Sequence, residues 1–398
     1  MAAIPAPLPA AGFARSGWIQ SPGWDLFWMF SGLWGAALIL LASTLQPLLS
    51  VVLLVFVADR LVSVLHAWST SYIVLFSPLL SVERRASPLR YVWIPALIAG
   101  SSLALGIAVS RTQRYPSSGE PGLDLWPFAF YIGLFWVGHF WHFGNQDFGV
   151  LNIYRSLAGQ TRALDRKIDK LFTVAMMYVI QPVVYLSVVS TTAFSELTSS
   201  VLGLDASTLR ALARVCVVAA VVLSLAVAGF ELSKPGRSLP RLLYILVILL
   251  HPTLLYAAVA AHSTTIGLLY VFAYLWSHWL IAIGLVGRIN TRFYEARGDS
   301  AGVSVLRHAA VLLFIASLVY LATERHKEFL LFNTDGFRYK QLLASITPEQ
   351  SLAVGLVLGF FLGEQLLHYY CDRCLFRFRN PGVRKQVAPL LFGDGAAR

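Results

Sequence analysis

Six of the chain's nine histidines, His66, His139, His142, His251, His278 and His368, fall within long apolar runs or their last turns. Imidazole is the commonest protein ligand for metals. An ionisable group at membrane depth is costly enough to mark a functional site whose partner must be named. His139 and His142 are three residues apart and Gln146 follows four after His142, so all three project from one helix face. They belong to the run GHFWHFGNQD at 138–147, whose Asn145 and Asp147 reach the same end. Glu364 and His368 are four apart, with Asp372 a further turn on. A carboxylate and an imidazole on adjacent turns offer one metal the ligands that non-haem iron accepts, and histidines with carboxylates from neighbouring helices follow the logic of di-iron bundles. The expected ligands are His139, His142, Glu364 and His368, with His66 and His278 next, around one or two iron ions; zinc and copper suit imidazole as well. Asn145, Gln146, Asp147, His251 and Asp372 are expected to orient the imidazoles from behind. A membrane histidine also serves as an interhelical hydrogen-bonding group, and a helix-end carboxylate–imidazole hydrogen bond is the competing reading of Glu364 with His368. Loss of bound metal in His139→Ala and His368→Ala, with the fold retained, would favour ligation.

Such a cluster needs helices that bring its members to a common depth. The 398 residues are 57% apolar and only 13% charged, with a mean hydropathy of +0.67, whereas soluble proteins carry about 25% charged residues. The apolar residues gather into runs of about 20, the length that crosses a bilayer as a helix. A soluble enzyme, a secreted disulfide scaffold and a disordered chain are excluded. The runs predict an all-α integral membrane protein of about ten transmembrane helices, near 27–44, 48–76, 91–109, 125–147, 171–194, 209–230, 241–261, 264–287, 303–322 and 351–371. In lipid a helix satisfies its own backbone.

Lys and Arg concentrate in alternate loops: Arg84, Arg85 and Arg90; Arg155, Arg162, Arg166, Lys167 and Lys170; Lys234, Arg237 and Arg241; Arg288, Arg292 and Arg297; then the C-terminal tail. The opposite loops carry few, and the one at 323–350 offsets Arg325, Lys327, Arg338 and Lys340 with four acids. By the positive-inside rule both termini are cytoplasmic, in a bacterial-type inner (plasma) membrane. Residues 1–24 read as an Ala/Pro-rich cytoplasmic segment without the order of a signal peptide, 25–372 as one transmembrane domain and 373–398 as a basic tail. Net charge is +11. Because the bases lie between apolar runs, where the stretch 162–170 reads as a solvated turn meeting anionic head groups, membrane lipids are the expected partners and nucleic acid is not. In this topology the six histidines, drawn from five spans, share the middle-to-inner zone of the membrane, counting about 1.5 Å per residue. The remaining three lie near span ends or in loops: His262, His308 and His326. Asp59 and Arg60 read as an intramembrane ion pair or as support behind the ligands.

Other features are plainer. Phe135, Trp136, Phe140, Trp141 and Phe143 read as core or lipid-facing packing, and the same wall can line an apolar pocket. Cys371 and Cys374 have CxxC spacing, but no second pair completes a zinc site. No P-loop, HExxH or HxxHH box occurs, and no span carries an Arg ladder.

His142, Phe143 and Gly144 followed by Asp147 resemble the HFGxxD element of the bacterial and archaeal Brp/Blh family, integral-membrane β-carotene 15,15'-dioxygenases. His251 with Pro252, and Trp276, Ser277 and His278, are similar to its later histidine-bearing helices. The resemblance implies a multi-helix membrane enzyme with a histidine-bound non-haem iron that splits a polyene with O₂. The reading reached is an iron-dependent membrane oxygenase acting on a lipophilic substrate that enters laterally. A proton- or metal-coupled transporter using the same cluster is the alternative, although no inverted repeat supports it. A non-catalytic scaffold is the third.

Overall fold

The computed structural model describes residues 17–45, 62–63, 65–111, 125–160, 162–189, 203–234, 236–298 and 348–392. Asp59, Arg60, His308, His326, the span near 303–322 and residues 323–347 lie outside them. Every regular element among the described residues is helical. In chain order they are α1 (Pro22–Trp28), α2 (Ser31–Leu45), α3 (Leu65–Leu75), α4 (Ser81–Ala86), α5 (Ile94–Arg111), α6 (Leu125–Leu157), α7 (Ala163–Val174), α8 (Gln181–Val189), α9 (Ala206–Leu232), α10 (Leu239–Ala260), α11 (Thr264–Val271), α12 (Ser277–Glu295), α13 (Pro348–Leu375) and α14 (Pro381–Phe392).

Among the described residues, six helical rods are long and apolar enough to cross a membrane: Leu89–Arg111, Ala163–Val188, Ala206–Leu232, Leu239–Ala260, Thr265–Glu295 and Ser351–Leu375. Two bent pairs raise the number to eight if each counts as one span: α1 with α2, at 64°, and α3 with Pro78–Ala86, at 41°. The span expected at 27–44 is therefore broken. Helix α6 is 33 residues long and rises about 50 Å, more than a hydrocarbon core of about 30 Å. The chain is an all-α, multi-pass membrane protein. Its lipid side is legible on α9, where Val215, Val218, Val222 and Leu225 form an exposed stripe, while Leu209, Ala213, Ala220, Ser224 and Val227 face the core.

Three rods pass through π-helical turns, at Leu89–Trp93, Ala175–Ile180 and Phe272–Trp276. Pro95 and Pro182 follow the first two. A proline lacks the N–H for the carbonyl four residues back and collides with it, and a widened turn upstream relieves both problems. No proline follows the third, which runs directly into α12 and the site described below.

The tightest crossing joins α5 and α13. Gly355, Gly359 and Gly363 repeat every four residues along α13, opposite Ser102, Gly106 and Ser110 of α5. A Cβ on Gly106 would fall inside the Gly359 backbone, and one on Gly359 would meet the Ser102 carbonyl at 2.6 Å. Small residues at this spacing let membrane helices approach backbone to backbone. Ser351 Oγ donates to the Ser110 carbonyl at 3.1 Å, and Tyr131 of α6 donates to the Leu358 carbonyl at 2.9 Å.

One end of the bundle holds a buried ion network. The buried Arg155, Lys234 and Arg241 meet the buried Asp165, Asp169 and Glu231, and the exposed Arg162 also closes on Asp165 at 3.1 Å. Lys234 Nζ lies 3.0 Å from both Asp165 and Glu231, and Arg241 bridges Glu231 at 2.5 Å to Asp169. Gln160 and the Ser238 N–H complete the shell of Glu231, at 2.6 and 2.7 Å. The stretch 162–170, expected as a solvated turn, is mostly helix α7. Its bases Arg162, Arg166, Lys167 and Lys170 are exposed and its acids Asp165 and Asp169 are buried. The terminal segments pack nearby. Asp25 accepts from the Ile19 and Gln20 N–H groups and from Tyr154 of α6 at 2.9 to 3.1 Å, and Arg288 donates to the Leu391 carbonyl of α14 at 2.8 Å.

Candidate metal centre

Helices α3, α6, α12 and α13 each contribute one imidazole to a single point: His66, His142, His278 and His368. One nitrogen of each lies within 4.8 Å of the others, and the four residues are only 1–5% exposed. His142 Nε2 and His278 Nε2 are 3.0 Å apart. That is a hydrogen-bond distance between two imidazoles, and donors held about 2.1 Å from one ion can lie at most about 4.2 Å apart, so the widest separation would need only a small inward shift of side chains to take a metal. Both nitrogens of His66 are buried without a hydrogen-bond partner. An orphaned buried polar group costs about 1–3 kcal/mol, and a shared metal removes that cost. The donor set fits a transition metal.

The surrounding residues hold the rings in place. Phe143 stacks on His278 at 3.6 Å between centroids and 12° between planes, and Tyr369 stacks on His142 at 4.5 Å and 21°. Gln146 Nε2 donates to the His278 backbone carbonyl at 2.9 Å, tying α6 to α12. At Gly144 a Cβ would strike the Tyr178 ring at 2.5 Å. Tyr244 donates to Asp147 Oδ1 at 2.7 Å. The HFGxxD element thus supplies a central imidazole, the ring stacked on a second one, a close helix approach and an anchor to α10.

The expected ligands divide. His142, His278, His368 and His66 converge. His139 stands one turn away, its Nε2 3.1 Å from the Tyr274 hydroxyl and its Nδ1 3.5 Å from that of Tyr369. Glu364 is outside the group as well, and its Oε2 accepts from Gln365 Nε2 at 2.7 Å. Among the groups expected to orient imidazoles, Asp372 does approach two of them: its Oδ2 is 3.5 Å from His142 Nε2 and its Oδ1 3.6 Å from His368 Nδ1. Gln146 acts on backbone instead of a ring, and Asp147 is held by Tyr244. Asn145 is exposed and turns to the Trp141 carbonyl and the Tyr178 hydroxyl, at 2.7 and 3.3 Å. His251 packs against Tyr274, with centroids 4.9 Å apart. The six membrane histidines therefore form one continuous core, four at a point and two reached through tyrosines. Tyr274 and Tyr369 were missed from sequence. Their signal was position, four residues before His278 and next to His368. No family model, curated protein or solved structure matches the chain.

Proposed function

We propose that the protein is a membrane-embedded metalloenzyme that holds a non-haem iron on His66, His142, His278 and His368 and oxidises a lipophilic substrate, such as a lipid or isoprenoid polyene, with O₂. The observation that carries this reading is the convergence of four buried imidazoles from four separate helices. Bound iron would supply activation of O₂ beside an apolar substrate. The chain's part is to present neutral imidazoles at fixed rotation, through the Phe143 and Tyr369 stacks, and to keep water out. Phe135 and Trp136 continue the aromatic wall, stacked on or edge-on to His139, and suit a flat, unsaturated chain. Of the histidines in the Brp/Blh-like elements, His142 and His278 lie in the four-imidazole group and His251 lies outside it.

The full reading has ten spans, both termini cytoplasmic and a bacterial-type inner membrane. It is supported by the meeting of both terminal segments with basic loops at one end: Asp25 with Tyr154, Arg288 with Leu391, and Gln386 within 3.5 Å of Glu83.

Elemental analysis of detergent-purified protein, free of a metal-binding tag, tests the centre. The wild type should carry iron, and His66→Ala and His278→Ala should lose it while remaining monodisperse. The iron-loaded protein should then consume O₂ with membrane isoprenoids. Iron uptake into proteoliposomes without product would sink the enzyme assignment and replace it with transport, and full metal retention in both variants would remove the centre itself.

A further inference from the structure

Four neutral imidazoles leave a divalent ion's double charge uncompensated inside an apolar bundle, where an isolated charge is expensive. Of the acids near the centre, Asp147 is engaged by Tyr244 and Glu364 by Gln365. Asp372 differs. It follows His368 by four residues, so both project from one face of α13, and its side chain is 9% exposed. Its two oxygens face different imidazoles, Oδ2 toward His142 Nε2 at 3.5 Å and Oδ1 toward His368 Nδ1 at 3.6 Å. The Nε2 of His142 is also the atom that meets His278 Nε2 at 3.0 Å. Oδ2 therefore points to the place where the histidine nitrogens converge, whereas a merely orienting carboxylate would hold the far side of the ring.

We infer that Asp372 is the anionic ligand of the centre: Oδ2 completes a four-histidine, one-carboxylate set, and Oδ1 holds His368 through Nδ1. The inference rests on the four-histidine reading. It fills five positions of a six-coordinate ion and leaves one for an external ligand, and it lowers the charge that the bundle must bury from two to one.

The test is ferrous-iron affinity, measured anaerobically by chelator competition on the wild type, Asp372→Asn, Asp372→Glu and Asp372→Ala, with thermal melting as the check on folding. Loss of a carboxylate that ligates or orients a metal should weaken binding about 10–100-fold. Asp372→Asn, which keeps the shape but not the charge, should fall in that range, and Asp372→Glu should recover part of it. Formate should restore affinity to Asp372→Ala by entering as a free carboxylate. Azide should bind the ferric wild type once per metal and the formate-free Asp372→Ala protein twice. Wild-type affinity in Asp372→Asn, or an Asp372→Ala protein that formate does not rescue, overturns the inference while the four histidines stand. A wild type that takes up no iron overturns both, so the two failures are distinguishable.

Discussion

His139 and His142 differ by three residues, about one turn and 4.5 Å along a helix, and that distance separates two jobs. His142 joins three other imidazoles, whereas His139 is gripped by the Tyr274 and Tyr369 hydroxyls. His139→Phe should therefore keep its iron, against the expectation from spacing. The two tyrosines would lose a buried partner, a loss worth about 1–3 kcal/mol. A lower melting temperature with unchanged metal content is the expected pair of readings, and loss of metal would return His139 to the ligand set. Phe143 makes the opposite prediction. Its ring lies parallel to His278 at 3.6 Å, so Phe143→Ala should open a cavity costing about 3–5 kcal/mol and loosen the metal as well. Chelator competition would read the second effect separately from the melt.

Helix α13 carries His368 and Asp372, and its height and rotation are set by the crossing with α5. Gly106 and Gly359 meet there backbone to backbone, with no side chain able to yield. Gly359→Ala or Gly106→Ala should push the helices apart, reduce stability and lower iron occupancy, although neither residue approaches the metal. Gly100→Ala on α5 is the control. Nothing lies within 4 Å of its added Cβ, and replacing a helical glycine favours the helix by about 0.5–1 kcal/mol. Equal metal content in all three variants would mean that the crossing does not position the centre. The repeat Gly355, Gly359, Gly363 stood in the sequence as a small-xxx-small pattern and was overlooked beside the histidines. Its partner on α5 was not legible, because spacing reports a face and not what lies across from it.

At the scale of the molecule, the ion network binds the ends of α6, α7, α9 and α10 into one block. Arg241 has no exposed surface and holds both Glu231 and Asp169. Arg241→Met leaves Asp169 with Arg155 alone and Glu231 with Lys234 alone as cationic partners, and breaking a buried pair costs about 3–5 kcal/mol. The melting temperature should fall substantially, and raising salt to molar levels should change that loss little because buried charges are poorly screened. A loss that vanishes in salt would place the network at the surface. The basic residues here had marked a loop on one side of the membrane. That six of the charges are buried and paired follows only from the meeting of four helix ends.

The sequence alone determined that the chain is built of apolar membrane-length helices, because apolar run length and backbone self-satisfaction in lipid are local properties, while the breaks at Met29–Phe30 and Phe76–Ser77 and the helix over 163–174 came from the structure. It also brought the histidines to a shared depth, since depth follows from counting residues along each rod. Which of them converge depends on the rotation of each helix about its axis and on its neighbours, and both are set by packing between segments distant in the chain. His66 and His278, placed second from spacing, became equal members for that reason, while Glu364 stands outside the group and Asp372 lies 3.5 Å from His142. The two acids are eight residues apart on α13, or about 12 Å along the axis. Which of them stands level with His142 depends on how α13 packs against α5 at the glycines and against α6 at Tyr131 and Tyr369.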